Sequence, residues 1–227
     1  MILKRDNVML KVTEVSPQKK NPHRFNIFLD GEFAFGADED TVVNYRLVVE
    51  KEINGNDLEK IIFETQVGKL MQRMYRLFSI RQRSEKEIRD YLKIQNFKLK
   101  VKQSEEISQI VIESLVNKLK EKQLLNDLEF AKAWVESRSR NRGQRLLQAE
   151  LYKKGISREI IEEVLNEKGE EQSESQIKVA EGLLEKKLSR WKNLPEVEKR
   201  KKATDFLLRR GFDYSLVRVV VEKSLKK

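Results

Sequence analysis

Few residues in this sequence have types and spacing suited to catalysis. There is one histidine, His23, and no cysteine, which excludes thiolate metal sites and cysteine nucleophiles. The acidic run "ADED" at 37–40 could hold a hard cation, but adjacent acids after a strand are more typical of a solvated turn or a helix start. The segment "GEFAFGAD" has the glycine spacing of a phosphate-binding loop without its lysine and hydroxyl. The sequence therefore predicts no enzyme, no metal site and no cofactor.

Basic side chains are the remaining candidates, because guanidinium and ammonium groups bind phosphates and carboxylates. Arg138 and Arg142 lie one helical turn apart, and basic pairs recur directly before Gly155 and Gly211. Cations at helix C-termini are also favoured by the helix dipole, so a structural role for these pairs stays equally open. The candidate binding residues are Arg81, Arg83, Arg138, Arg140, Arg142, Arg145, Lys153, Lys154, Arg209 and Arg210.

Charge is distributed unevenly along the chain. Residues 1–65 hold 9 Lys and Arg against 12 Asp and Glu, whereas the rest of the chain holds 38 against 25. A basic body indicates an anionic partner, either nucleic acid or an acidic protein surface. No apolar run reaches the length of a membrane span, and the first residues lack the apolar core of a signal peptide. The expected location is the cytoplasm, without a membrane partner.

The elements that must position these cations begin with a β segment. The runs "NVMLKVTEV", "HRFNIFLD" and "EFAFGAD" alternate between apolar and polar residues, as half-buried strands do. Asp30 and Gly31 link the last two runs and predict a type I′ hairpin turn, which needs positive φ at both residues. A loop is predicted at 16–22. The three predicted strands need a cover for their apolar face, which the following helices are expected to supply.

Helical patterns dominate from Asp57 onwards, where apolar residues recur at spacings of three and four. Ser84 with Glu87 forms one capping box, and Asn126 with Glu129 forms another. Ser104 is expected to begin a further helix. Strand patterns are nearly absent from this part of the chain, so the fold class is predicted to be mainly α.

One unit recurs within the helical part. The segment "LYKKGISREIIEEVL" at 151–165 returns as "LLRRGFDYSLVRVVV" at 207–221, with seven matched apolar or glycine positions. Gly155 and Gly211 are expected to end helices in the left-handed conformation. In an upstream copy, Asn96 is expected to take the place of the glycine. Each copy is interpreted as three helices, and stacked copies are expected to form an elongated array.

The predicted organisation has five parts. An N-terminal β segment (1–56) is followed by a connecting helix (57–69) and by three-helix repeats at 70–125, 126–170 and 171–227.

The central repeat carries a resemblance to a known family. The segment "DLEFAKAWVESRSRNRGQRLLQAELYKKGISREIIEEVL" resembles the central repeat of the RecX family, bacterial regulators of the RecA recombinase. The shared features include Arg138, Arg142 followed by Gly143, and the turn around Gly155; Gly143 is accordingly expected to be a structural turn. "YRLFSIRQRSEKEIRDYL" is similar to the opening repeat and "RKKATDFLLRRGFDYSLVRVVVE" to the third. The β segment resembles an N-terminal extension found in some members.

The resemblance implies a function in recombination, DNA repair and the SOS response. A protein of this family would lie in the groove of the RecA–single-stranded DNA filament, inhibiting its ATPase activity and strand exchange. The implied partners are the RecA filament and, through the basic face, single- or double-stranded DNA. A monomer without a cofactor is expected.

A second hypothesis is a general nucleic-acid-binding helical protein without a recombinase partner. The basic charge supports it. No helix shows the cluster of Asn, Gln and Arg expected of a base-reading face, and the aromatic content of 7% offers few stacking platforms. A protein that binds only DNA should show steep salt dependence and need no recombinase.

Overall fold

The computed structural model describes residues 9–19, 21–104, 106–166 and 169–226. Two compact units divide the chain. The first comprises the chain up to Arg81 together with Ile94–Leu124, and the second comprises Gln82–Lys93 together with the chain from Leu125 onwards. The division falls within the predicted first repeat, so neither unit is a single continuous stretch of chain.

The first unit opens with an antiparallel sheet of four strands in the order β3-β2-β1-β4. At the link between β2 and β3, Asp30 has φ 50° and Gly31 has φ 86°, which confirms the predicted hairpin. The strands are β1 (Met9–Gln18), β2 (Asn21–Leu29), β3 (Glu32–Asp38) and β4 (Glu52–Asn54).

Two predictions about this sheet were wrong. The loop expected at 16–22 is mostly strand, because β1 continues to Gln18 and β2 begins at Asn21. Pro17 is tolerated because β4 pairs only with Met9–Lys11, which leaves the far end of β1 as an edge where a missing N–H costs little. The fourth strand was missed because three residues are too short to show alternation.

Two helices complete the core around the sheet. A short helix, α1 (Glu39–Asn44), begins at the acidic run, and its N-cap Asp38 accepts a hydrogen bond from the Thr41 backbone at 2.9 Å. A long helix, α2 (Gly55–Ile80), then supplies Ile61 to the apolar cluster formed by the strands. The helical cover predicted for the sheet is therefore confirmed.

The next two helices depart from the sequence-based expectation. Helix α3 (Glu85–Val101) runs through Asn96, so the turn predicted there is wrong; the positive φ of 52° lies at Gln103 instead. The Asn96 amide donates to the Ile107 carbonyl at 2.9 Å and accepts from the Ile107 N–H at 2.8 Å. Helix α4 (Gln109–Glu121) is capped by Ser108 rather than begun at Ser104. The Glu105 of that prediction lies outside the described residues.

The second unit contains two groups of three helices, each with its own apolar core. The first group is α5 (Asp127–Arg138), α6 (Gln144–Lys153) and α7 (Arg158–Asn166). The second group is α8 (Gly169–Leu188), α9 (Glu196–Arg209) and α10 (Tyr214–Leu225). The predicted fold class, mainly helical with a small antiparallel β segment in front, is confirmed.

The glycine turns are alike in both groups. Gly155 has φ 80° and Gly211 has φ 83°, as predicted. In each turn the N–H after the glycine donates to the carbonyl of a leucine four residues before the glycine, at 3.1 Å to Leu151 and 3.2 Å to Leu207. This is the bond of a helix that ends in the left-handed conformation.

No helix within the described ranges combines the length and the apolar character that crossing a membrane requires.

Candidate functional site

Arg138 and Arg142 converge on a carboxylate that the sequence analysis did not identify. Arg142 forms an ion pair with Glu150 on α6, and the Arg138 Nε lies 3.7 Å from the other carboxylate oxygen. Both arginine side chains are about one-third exposed, and Glu150 is less exposed than either. The two guanidinium groups are therefore partly neutralised within the protein.

Trp134 completes this arrangement. The Arg138 guanidinium lies 3.4 Å from the centre of the Trp134 ring, and the indole N–H donates to Glu150 at 3.0 Å. Phe130 stacks on the ring with centroids 5.5 Å apart. Cation–π and charge-assisted contacts of this kind fix side-chain positions as well as stabilising the fold. We call Trp134, Arg138, Arg142 and Glu150 the Glu150 cluster.

Glu150 could have been suspected from its position. It follows the buried Leu147 by three residues, so it lies at the inward edge of α6 rather than on the outer face. A carboxylate at such an edge needs a partner, because burial of an unpaired charge is costly. The sequence alone does not show which cations supply the partners.

Lys154 also has an internal role. Its ammonium group pairs with Glu87 on α3 and lies 5.0 Å from the centre of the Trp134 ring. Its carbonyl accepts a hydrogen bond from the Ser84 hydroxyl at 2.7 Å, and the same hydroxyl accepts from the Glu87 N–H at 3.3 Å. The predicted capping residue Ser84 thus also ties the start of α3 to the Gly155 turn.

A second contact of this kind joins the two groups of three helices. The Gly143 N–H donates to the Arg210 carbonyl at 2.8 Å, and the Arg145 N–H donates to the Gly211 carbonyl at 3.0 Å. The first N–H groups of α6 therefore satisfy carbonyls at the C-terminal end of α9, where neither set has a partner within its own helix. We call the contacts of α3 with the Gly155 turn and of α6 with the Gly211 turn the two glycine junctions.

Glycine is needed at position 143 because another segment of backbone lies close to it, and not because of an unusual backbone angle. The φ of Gly143 is −79°, which any residue can adopt, and this residue is the N-cap of α6. A Cβ at this position would overlap the backbone of Gly211. The glycine therefore permits the backbone contact of the second junction.

Side-chain contacts reinforce the second junction. Arg145 forms an ion pair with Asp213 at 2.7 Å, and the Arg210 guanidinium donates to the Asn141 carbonyl at 3.1 Å. The pKa of Asp213 lies below its ordinary value, chiefly because its carboxylate accepts hydrogen bonds from the backbone and hydroxyl of Ser215, and further because Arg145 is near.

The predicted cations therefore fall into two sets. The structure places five of them in the Glu150 cluster or at the glycine junctions, namely Arg138, Arg142, Arg145, Lys154 and Arg210. Three others are exposed and have no ion-pair partner in the described part of the chain, namely Arg140, Lys153 and Arg209.

The last two predicted cations precede α3. Arg81 is exposed and is the C-cap residue of α2, and Arg83 is half-buried directly before Ser84.

A cavity of about 650 Å³ lies beside the second junction. Amide side chains from three helices line it, together with apolar groups such as Leu165 and Leu216 and the ion pair of Arg145 with Asp213. The amides are those of Gln144, Gln148, Asn166 and Gln176. No sequence pattern indicates this cluster, because its members are distant in the chain.

A second cavity, of about 460 Å³, lies in the first unit and is lined by His23 and by carboxylates that include Asp38, Glu39 and Glu64. His23 lies with its Nδ1 3.0 Å from a Glu39 carboxylate oxygen, and both side chains are well exposed. No cluster of His, Cys, Asp and Glu with the spacing of a metal site occurs among the residues that the structure describes.

Comparison with family models gives three matches. Residues 10–54 match the model described as the regulatory protein RecX N-terminal domain. Residues 126–165 match the RecX second three-helix domain, and residues 174–221 match the third.

Curated relatives match over most of the chain. The protein "Regulatory protein RecX" of Bacillus velezensis is 34% identical over 215 residues, covering 94% of this chain and 77% of the relative. Its namesake in Bacillus subtilis is also 34% identical, covering 93% and 76%.

Solved structures agree with these matches. A crystal structure of regulatory protein RecX is 27% identical, with a TM-score of 0.70 over 94% of this chain and 99% of its own. RecX from Lactobacillus salivarius, at 24% identity and a TM-score of 0.59, covers 70% of this chain and 96% of its own and supports the fold alone.

Proposed function

The chain belongs to the RecX family of regulatory proteins, and from this premise we propose that it binds the RecA–single-stranded DNA filament and inhibits ATP hydrolysis and strand exchange. It would act by binding, as a monomer without a cofactor. The proposal implies a cytoplasmic protein that acts in homologous recombination, DNA repair and the SOS response.

The observation that carries the proposal is the division of the cations into two sets. Arg138, Arg142 and Lys154 are engaged by Glu150 and Glu87, so they support the fold. Arg140, Lys153 and Arg209 are exposed and form no ion pair among the described residues; the Arg209 Nε donates only to the Asp205 carbonyl of its own helix, at 3.2 Å. Unpaired exposed cations on a strongly basic body are suited to the phosphates of DNA or the carboxylates of a protein.

Single-stranded-DNA-dependent ATP hydrolysis by the cognate RecA tests the proposal. Titration of this protein at substoichiometric ratios should inhibit hydrolysis, because one bound regulator would affect several neighbouring protomers of the filament. An unchanged rate, at concentrations where the protein binds DNA, would refute the proposal.

A triple charge reversal tests the residues. Arg140→Glu, Lys153→Glu and Arg209→Glu together should raise the concentration for half-inhibition roughly tenfold, because each loses a contact and adds repulsion. The matched control reverses Lys19, Arg76 and Lys122 of the first unit, which are exposed, have no ion-pair partner among the described residues and give the same change in net charge. If both variants lose inhibition to the same extent, net charge alone determines binding.

The amide-lined cavity favours a second candidate function, a general nucleic-acid-binding protein. Asn and Gln amides pair with base edges, and the apolar groups beside them could cover the face of a base. This candidate predicts steeply salt-dependent DNA binding that is lost in Gln148→Ala with Gln176→Ala, and no effect on ATP hydrolysis by RecA. If the intact protein inhibits ATP hydrolysis by RecA, and the double variant loses this inhibition but still binds DNA, the second candidate function is wrong.

A further inference from the structure

Helix α3 exposes three apolar side chains on one face. Ile94 is 55% exposed, Phe97 is 69% exposed and Val101 is 68% exposed. Their spacings of three and four place them in one line about 10 Å long, parallel to the helix axis. We call these residues the α3 stripe.

The stripe lies on an extension that the repeat does not require. Helices α6 and α9 end two residues after their inward leucines, Leu151 and Leu207, whereas α3 continues nine residues beyond Leu92. Helix α3 is therefore about two turns longer at its C-terminal end than α6 and α9, and these turns carry Phe97 and Val101 of the stripe.

The extension is held in place on its inward side. The Asn96 amide forms two hydrogen bonds with the Ile107 backbone, and Leu99 lines a small cavity together with Leu70 of α2. Helix α3 is therefore anchored on one side and presents the stripe on the other. An ordered, exposed apolar line is costly in water, so a line of this kind usually marks a binding surface.

Lysines surround the stripe. From the 100° turn per residue, Lys98 lies on one side of the line and Lys100 on the other, and both are exposed. Lys102 follows its C-terminal end. No carboxylate lies within ion-pair distance of these three lysines in the portion of the chain that is described. A helix C-terminus favours lysines, but this does not account for the apolar residues between them.

We propose that the α3 stripe binds an acidic amphipathic helix of a protein partner. Three apolar anchors over two turns match one face of such a helix, and the flanking lysines complement its acids. Nucleic acid fits less well because Ile94 and Val101 cannot stack on bases, and a 10 Å line is short for insertion into a lipid surface. The inference rests on the proposed function, in which the partner is the RecA filament.

The test compares filament binding by the intact protein and by Phe97→Gln with Val101→Gln. Glutamine favours helix, so α3 should persist, which circular dichroism checks. Anisotropy of the labelled protein with RecA filaments should show roughly tenfold weaker binding. The matched control is Val43→Gln with Val197→Gln, which removes two apolar residues elsewhere that are at least as exposed, and it should bind like the intact protein.

A charge-reversed variant tests the acidity of the partner. Lys98→Glu with Lys100→Glu should weaken filament binding several-fold at low salt and less at high salt. If this variant binds as the intact protein does while the stripe variant fails, the partner segment is not acidic and the proposal is overturned in that respect.

The remaining outcomes separate the inference from its premise. If the intact protein does not bind the filament, the proposed function fails; if it binds and the stripe variant binds equally, only the inference fails. If the stripe variant loses affinity for bare single-stranded DNA to the same extent, the occupant is nucleic acid. If sedimentation shows a dimer that the stripe variant abolishes, the occupant is a second copy. Either of these last two results overturns the proposed partner.

Discussion

At the scale of single residues, the Glu150 cluster decides what its arginines can do. Arg138 and Arg142 fit the pattern of a binding pair, yet both engage Glu150, and Arg138 also covers Trp134. Charge reversal at either arginine would place two carboxylates side by side, so a loss of binding there would report instability as much as a lost contact. Exposed cations such as Arg140 are therefore better positions at which to test partner binding by charge reversal.

Replacing Glu150 tests this structural role. Glu150→Gln keeps an acceptor for the Trp134 N–H but leaves two guanidinium groups without their counter-ion. We expect the free energy of unfolding to fall by about 1–2 kcal/mol, measured by urea denaturation. The control Glu136→Gln, an exposed site on α5, should change it by less than about 0.5 kcal/mol. Equal effects at the two sites would show that Glu150 has no special role.

At the scale of elements, the two glycine junctions follow one rule. The start of α3 contacts the Gly155 turn, and the start of α6 contacts the Gly211 turn, so in both cases the beginning of one helix meets the end of another. Each contact pairs N–H groups or a hydroxyl at a helix start with carbonyls at a helix end. Each repeated glycine turn therefore has two roles: it ends its own helix in the left-handed conformation, and it contacts the start of another helix.

Two Gly→Ala substitutions should have opposite effects on stability. Gly143→Ala adds a methyl group that overlaps the Gly211 backbone, so it should lower the free energy of unfolding by about 2 kcal/mol or more. Gly182→Ala adds a methyl group in open space within α8, so it should raise that energy by about 0.5–1 kcal/mol. Urea denaturation measures both. A neutral Gly143→Ala would mean that the junction relaxes easily.

At the scale of the whole molecule, the first unit combines two separate stretches of chain. Helix α2 packs against the sheet through Ile61 and also against α4, which follows in the chain only after α3. Val67 and Met74 of α2 and Leu115 of α4 are fully buried. A fragment that ends before α4 would therefore expose a large apolar area.

Comparison of two fragments tests this dependence. Residues 1–124 contain both stretches of the first unit and should unfold cooperatively, whereas residues 1–81 lack α4. We expect the shorter fragment to be less stable by at least about 3 kcal/mol, because several buried apolar side chains of α2 lose their cover. Thermal unfolding followed by circular dichroism measures the difference. Equal midpoints would show that the sheet and α2 suffice.

Local features were predictable from the sequence by itself because neighbouring residues determine them. The hairpin at Asp30 and Gly31, the turns at Gly155 and Gly211 and the cap at Ser84 each depend on a backbone angle or a hydrogen bond within a few residues. The mainly helical fold class likewise follows from apolar spacing along short segments.

Contacts between distant residues depend on the packing of the whole fold and are not encoded in local sequence patterns. The tertiary structure placed Glu150 against Arg138 and Arg142, brought the Gly143 N–H to the Arg210 carbonyl and continued α3 through Asn96. Each of these features depends on a contact with a residue elsewhere in the chain. The alternative arrangements differ in free energy by only a few kcal/mol. A charged side chain is encoded in the sequence, but whether it faces a carboxylate or the solvent is settled by the packing of the helices around it.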